Sequence, residues 1–225
     1  MDTTNGTQRA LVVRGGWEGH QPAACTDLFL PCLREHGFDV LVREDLEVYA
    51  DTELLRSFSL IVQCWTGGAL TPDQEDGLVG AVTRGAGFAG WHGGVLATFD
   101  AAYRYQFMVG GHFVAHPGDF VDYRVDITGD HPIVSGVDGF DVHTEQYFCH
   151  VDPTLRVHAT TTFNGGHGAP DTAGAVMPVV WTRRFQKGKV FVCTLGHSPE
   201  DLLVPQTRRI VERGLLWAGS AAYGD

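Results

Sequence analysis

Gly87-Phe88-Ala89-Gly90-Trp91-His92-Gly93-Gly94 is the stretch from which the rest of the chain can be read. An apolar run of small and aromatic residues stops at His92, and two glycines follow. Glycine admits backbone angles closed to other residues, so a strand ending here can turn sharply. A strand-to-helix turn of this kind holds one side chain proud of a sheet, as a nucleophile elbow does. Here that side chain is an imidazole, which suits proton transfer or metal ligation better than covalent attack.

Upstream of the elbow the pattern alternates. Ala10-Leu11-Val12-Val13, within Arg9 to Arg14, is a short continuous apolar run of the kind buried on both faces of a sheet. A glycine-rich loop, Gly15 to His20, leads to Pro22 at a helix start and to an apolar face of Leu28, Phe29, Leu30 and Leu33, with Gly37 as the stop. Phe38 to Val42 is a second strand, Glu44 to Leu55 a loop with a short helix, and Leu60 to Trp65 a third strand. Thr71-Pro72-Asp73-Gln74 combines a cap, a proline in the first turn and a glutamine placed to close a capping box. That helix is expected to run to Arg84 and stop at Gly85. Strands alternating with helices imply a parallel sheet covered on both faces.

After the elbow the pattern loosens. Ala101 to Val109 is expected as a short helix and Gly110 to Gly118 as a loop or helix-to-loop segment. Tyr123 to Ile127 alternates like a half-buried strand, and Leu155 to Phe163 and Val176 to Phe185 are further strands. Gln186 to Lys189 makes a hairpin turn into Val190 to Leu195, and a final amphipathic helix carries Leu202 to Trp217. No repeat or linker interrupts the pattern, so one domain over residues 1–225, with its core at about 9–218, is the economical expectation.

Composition narrows the function. Of 225 residues 44% are hydrophobic and 19% charged, a globular balance. The formal net charge of -11 leaves no footprint for nucleic acid or an anionic membrane. No apolar run approaches the roughly 20 residues of a membrane span. The polar stretch Met1 to Gln8 lacks a signal-peptide core, so a cytoplasmic location is expected. The five cysteines show no knuckle or redox spacing and are expected as buried thiols.

Ligands of open parallel sheets bind beyond the carboxyl ends of the strands. Four such ends carry polar or aromatic groups: Trp17 to His20, Trp65, Trp91-His92 and His197. His20, His92 and His197 are therefore expected to share one pocket. His116, before Pro117, is a better pocket candidate than His112, four residues earlier. Glu145, beside Tyr147 and Phe148, can accept a proton or ligate a metal. His36, His131, His143, His150, His158 and His167 are expected to be structural or surface residues.

The chain resembles the ThuA-like (trehalose utilisation) family, of the class I glutamine-amidotransferase-like superfamily. The resemblance is carried by the loop to His20, Gly90 to Gly93, Gly110 to Pro117, Glu145 with Tyr147, and Gly196-His197, in that order. It implies a flavodoxin-like three-layer α/β/α sandwich with a mostly parallel sheet. It also implies carbohydrate metabolism, with a disaccharide or 3-keto-glycoside as substrate and a functional link to a sugar-oxidising dehydrogenase. Amidotransferase relatives place a cysteine at the elbow, where this chain has His92. His197 with Glu200 is similar to their late His-Pro-Glu segment, with Ser198 interposed. A glutaminase is not expected.

The expected activity is then acid-base or metal-assisted chemistry on a sugar. His92, His197, Glu145 and His116 are the catalytic candidates, and His20, Trp17, Trp65, Trp91 and Tyr147 the substrate-binding ones. A subset of His20, His92, His116, Glu145 and His197 could hold one divalent metal ion, and no nucleotide cofactor is expected. A non-catalytic sugar-binding or assembly module, and a metal-dependent amide or ester hydrolase, are the alternatives. Apolar strands beyond residue 155 could form an edge that pairs with another copy in a homo-oligomer.

Overall fold

The computed structural model describes residues 8–219, so the polar stretch before Gln8 lies outside the described residues. β1 (Gln8–Gly16) leads through a short 3-10 turn, Glu18–His20, to α1 (Pro22–Asp27) and α2 (Leu30–Glu35). One continuous helix was the expectation here. Pro31 brings no N–H to the helical ladder, and the chain divides after Asp27. β2 (Phe38–Arg43), α3 (Thr52–Leu55), β3 (Leu60–Thr66), α4 (Pro72–Arg84) and β4 (Gly87–Trp91) follow as the alternation predicts. The capping box of α4 is closed at both bonds, Gln74 N to Thr71 Oγ1 and Thr71 N to Gln74 Oε1.

Beyond the elbow come α5 (Gly93–Leu96), α6 (Tyr103–Val109), β5 (Gly111–Ala115), β6 (Phe120–Ile127), β7 (Phe140–Glu145) and β8 (Phe148–Val151). β9 (Arg156–Thr162), β10 (Val176–Phe185), β11 (Gly188–Cys193), α7 (Pro199–Leu203) and α8 (Pro205–Gly219) complete the described chain. Pro205 divides the expected final helix just as Pro31 divides the first, with Val204 held extended before it. Residues 111–115 are a strand, not the expected loop. They pair antiparallel with β8, and His112 lies opposite His150.

Nine strands form one sheet in the order β2-β1-β3-β4-β11-β10-β9-β6-β7. From β2 to β11 every pairing is parallel, the flavodoxin-like half. From β11 onward the pairings are antiparallel, and this extension carries β7 to the far edge. The strands beyond residue 155 therefore offer no edge to a second copy. β9, β10 and β11 each have neighbours on both sides, and the edges are β2 and β7.

Alternation along the strands builds two cores. Ala10, Val12, Leu60, Val62, Trp91 and Phe191 face α1, α2 and α8; Leu11, Val13, Ile61, Phe88, Val190 and Val192 face α4 and α6. Four cysteines are buried and Cys32 is partly buried, all as free thiols. No helix among the described residues is long and apolar enough to cross a membrane.

Two packing features give measurable consequences. α4 approaches the backbone so closely that a Cβ on Gly77 would fall on the Tyr49 carbonyl oxygen. Alanine ordinarily gains about 1 kcal/mol over glycine inside a helix. Gly77→Ala is nevertheless expected to destabilise by about 1–3 kcal/mol in denaturant unfolding, because overpacking against fixed backbone outweighs propensity.

The second is a buried His131–His158 pair, stacked with ring centroids 4.3 Å apart, in which His158 Nε2 lies 2.8 Å from Thr182 Oγ1. Burial, then the charges of His131 and Arg156, lower His158 from 6.5 to about 3. Between those values the unfolded chain binds more protons than the folded one, so stability falls as pH drops through this window. His158→Gln is expected to give a shallower loss of stability than the native chain over the same pH range in urea titrations.

Candidate functional site

The elbow is strained at His92 itself, which has φ 49° and ψ -144°. Non-glycine residues rarely hold such angles, and the cost is of order 1–3 kcal/mol. The glycines behind it serve a different purpose from the turn expected of them. A Cβ on Gly93 would meet the His20 ring, and one on Gly94 would meet the Cα of Cys64. Their bareness lets His20 and β3 close onto the elbow. From below, Gln63 Nε2 donates to the carbonyl of Gly94 at 3.0 Å and to the Tyr105 hydroxyl at 2.7 Å. Tyr105 in turn donates to the Val95 carbonyl. These buried bonds hold α5 against β3.

His92 is 1% exposed and its ring is fixed at both nitrogens. Nδ1 lies 2.8 Å from the Thr194 carbonyl oxygen, which can only accept, so Nδ1 carries the proton. Nε2 is the ring atom turned to the rest of the site. It meets the Tyr147 hydroxyl at 2.9 Å, a donor, and Glu145 Oε2 at 3.0 Å, an acceptor. A ring nitrogen and a carboxylate oxygen at that distance share a proton or a cation.

His20 comes from the 3-10 turn after β1 and is also buried. Its Nδ1 lies 2.7 Å from Thr66 Oγ1, at the end of β3. Burial, then the neighbouring His92 and His197, lower its pKa to about 3, so this ring stays neutral at physiological pH. His197 lies on the loop after β11. Its Nδ1 is 3.3 Å from Glu145 Oε1 but lacks a directed hydrogen bond. The Glu145 carboxylate raises its pKa, against the opposing effect of burial.

Glu145 ends β7, 7% exposed. Burial pushes its carboxyl up, but His197 and His92 at its two oxygens outweigh this and hold it well below the usual carboxylate range. Ligand atoms of His20, His92, Glu145 and His197 all lie within 4.8 Å of one another. Three imidazoles and one carboxylate, with two of the rings tied at Nδ1 to oxygen atoms, form a set that could hold a divalent metal ion.

The other expected residues divide. His116 lies at the rim, with Nε2 3.8 Å from Glu145 Oε1 and Nδ1 3.4 Å from Asp119. His112 is on β5, four residues or roughly 13 Å of strand away, so the two cannot clamp one ion. Tyr147 stacks on His92 at 4.2 Å, and Trp17, 57% exposed, stands edge-on to His20 at 4.7 Å. Trp91 does not line the site. Side chains alternate along β4, and its ring turns into the core against Phe29 at 5.1 Å. Trp65 lies over Gly15 and beside Gly68, packed on the opposite core.

Sequence reasoning missed three contributors. Asp201 Oδ2 accepts from His197 N at 2.9 Å and from Thr144 Oγ1 at 2.7 Å, tying the His197 loop to the strand end that carries Glu145. Glu200, which the resemblance set beside His197, is exposed. The signal was present in Ser198-Pro199-Glu200-Asp201, a helix start with two acids in its first turn. Phe120 stands edge-on to His197 at 4.8 Å, and Phe113 packs on Tyr147 at 4.5 Å.

Comparison with known proteins agrees with this architecture. No curated protein matches the chain. Among solved structures, a ThuA-like protein from Parabacteroides merdae is similar at 16% identity, with TM-score 0.78, covering 98% of this chain and 92% of that one. A ThuA-like protein from Bacteroides uniformis is 15% identical, with TM-score 0.74 and coverage of 99% and 95%. A protein from Salmonella typhimurium described as cytoplasmic is 17% identical, with TM-score 0.62 and coverage of 94% and 97%. At these identities the likeness is one of fold. The sequence itself matches the ThuA family, described as trehalose utilisation, over residues 9–218, and the chain belongs to that family.

Proposed function

We propose that this chain is a cytoplasmic enzyme of carbohydrate metabolism that acts on a disaccharide or 3-keto-glycoside. In this reading His20, His92, Glu145 and His197 hold one divalent ion, and His116 carries protons at the rim. The observation that carries it is the convergence of ligand atoms of His20, His92, Glu145 and His197 within 4.8 Å of one another. A carboxylate buried among three imidazoles is a donor set that a shared divalent cation stabilises.

Bound there, a divalent ion would polarise a sugar carbonyl or hydroxyl oxygen. The residues of the chain do the rest. Thr194 and Thr66 orient the rings of His92 and His20. Trp17 and Phe120, both substantially exposed, offer apolar faces to the C–H surface of a sugar. A 3-keto group acidifies the adjacent C–H, and a base on the solvent side could remove that proton for elimination or isomerisation. His116, half-buried and outside the four-residue cluster, is placed for this role. A sugar-oxidising dehydrogenase would supply the keto form.

Glutaminase chemistry has no support. The elbow presents an imidazole, and burial pushes the thiols of Cys25, Cys149 and Cys193 up to about 12. A second reading, a non-catalytic sugar-binding module, is favoured by the depth of the cluster. Cavities of about 340 and 390 Å3 lie elsewhere, against Trp217.

Protein purified without chelator is expected to contain stoichiometric divalent metal by elemental analysis, with Glu145→Gln and His20→Ala depleted of it. Native protein lacking metal would defeat the cation reading. Turnover of a 3-keto-glycoside is expected to vanish in His92→Ala and to fall about 10–100-fold in Asp201→Asn, which frees the His197 loop. Calorimetric binding of the keto-glycoside to metal-loaded native protein without turnover would favour the binding module instead.

A further inference from the structure

Trp65 lies outside the histidine cluster and lines a separate cavity. β1 and β3 are neighbours, but the chain leaves them on opposite faces of the sheet, β1 into α1 and α2 and β3 into α4. A crevice opens beyond the carboxyl ends of two such strands, and ligands of open sheets bind in it. Here it holds a cavity of about 320 Å3, at the small end of the range for ligand sites. Alternation sends Arg14 towards α1 and Trp65 towards the α4 side, so the cavity is walled from both faces. A Cβ on Gly15 would press into the Trp65 ring, so the bare backbone there is what admits the indole.

The polar wall is built from carboxylates. Arg14 NH1 donates to Asp27 Oδ1 at 2.6 Å, and its Nε and NH2 both donate to Glu44 Oε1, at 3.0 and 2.9 Å. The guanidinium thus fills the place that a cation would take between the two acids. It holds Glu44 by one oxygen, which leaves Oε2 to accept from a ligand. Glu18, exposed, adds a second acceptor to the lining. One guanidinium among three carboxylates repels an anion, whereas hydroxyl groups donate to carboxylates in charge-assisted hydrogen bonds. The cavity is also continuous with the histidine cluster. Glu18 opens the 3-10 turn that ends in His20, and Thr66, whose hydroxyl meets His20 Nδ1, follows Trp65.

We infer that this cavity is the subsite for the second ring of the sugar substrate. A neutral hexose ring would lie against Trp65, with its hydroxyls donating to Glu44 Oε2 and Glu18. The inference rests on the reading of the histidine cluster as the place where the first ring is acted upon. An indole beside carboxylate acceptors suits such a ring, which has apolar C–H surface and donating hydroxyls.

The test is titration calorimetry of the full chain with trehalose and with methyl α-glucoside, its one-ring counterpart. Trehalose is expected to bind about tenfold or more tightly than the single ring. Glu44→Gln and Glu18→Gln are each expected to weaken trehalose by about three- to tenfold, as loss of a charge-assisted hydrogen bond implies, and so to narrow the gap to methyl α-glucoside. Both glutamates are exposed, so these variants keep the fold. Trp65→Phe is expected to narrow the gap as well, and to diminish the fluorescence change that trehalose causes. Equal affinity for the two sugars in the native chain, a gap that survives all three substitutions, or no binding at millimolar trehalose would overturn the inference. Preference for trehalose in a native chain that holds no metal and turns over no 3-keto-glycoside would leave the subsite standing without the chemistry. Turnover of a one-ring 3-keto-glycoside, with no gain in affinity or rate from a second ring, would leave the chemistry standing and overturn the subsite.

Discussion

The bond between His92 Nδ1 and the Thr194 carbonyl is the constraint on which the site depends. It ties the elbow after β4 to the residue just beyond β11, the strand beside it. Because a carbonyl can only accept, the bond also settles which nitrogen of His92 is protonated. Nε2 is thereby turned towards Tyr147 and Glu145. The strain at φ 49° is sustained because the backbone on either side is held: His92 N donates to the Cys193 carbonyl, and Gln63 holds Gly94 from below.

The antiparallel half of the sheet has a functional consequence. A five-stranded parallel sheet supplies His20, His92 and His197 from the ends of β1, β4 and β11, all at one edge. None of the carboxylates that follow these strands joins the cluster. The chain reaches one by extending the sheet through β10, β9 and β6 to β7, then bringing the end of β7 back against the elbow. Asp201 secures that return by accepting from both Thr144 and His197. Glu145 thus meets three histidines from which it is separated by at least fifty residues of chain, and burial makes each mutual contact stronger than it would be in water.

Burial also separates this site from the cavity beneath Trp217. At the elbow, three imidazoles surround a carboxylate. Around His131 and His158 burial dominates instead, and it lowers the pKa of both rings.

Much of this was legible in the residues. Continuous apolar runs mark β1, β3 and β4 because strands covered on both faces need no polar side. Thr71-Pro72-Asp73-Gln74 set the start of α4, because capping is a local interaction. The histidines at strand ends could be found because parallel strands share a direction, so their ends share an edge. Tertiary structure alone decided the rest. Trp91 looked like a site residue because it adjoins His92, but alternation turned it into the core. β5 and β8 were unread because their pairing is non-local. Asp201 stood in a legible helix start, but its partners, the His197 N–H and the Thr144 hydroxyl, were set by tertiary placement. The sequence by itself determined which side chains reach one edge of the sheet. Which nitrogen faces which oxygen was decided only when distant strands closed upon one another, because hydrogen-bond direction is a property of three-dimensional placement.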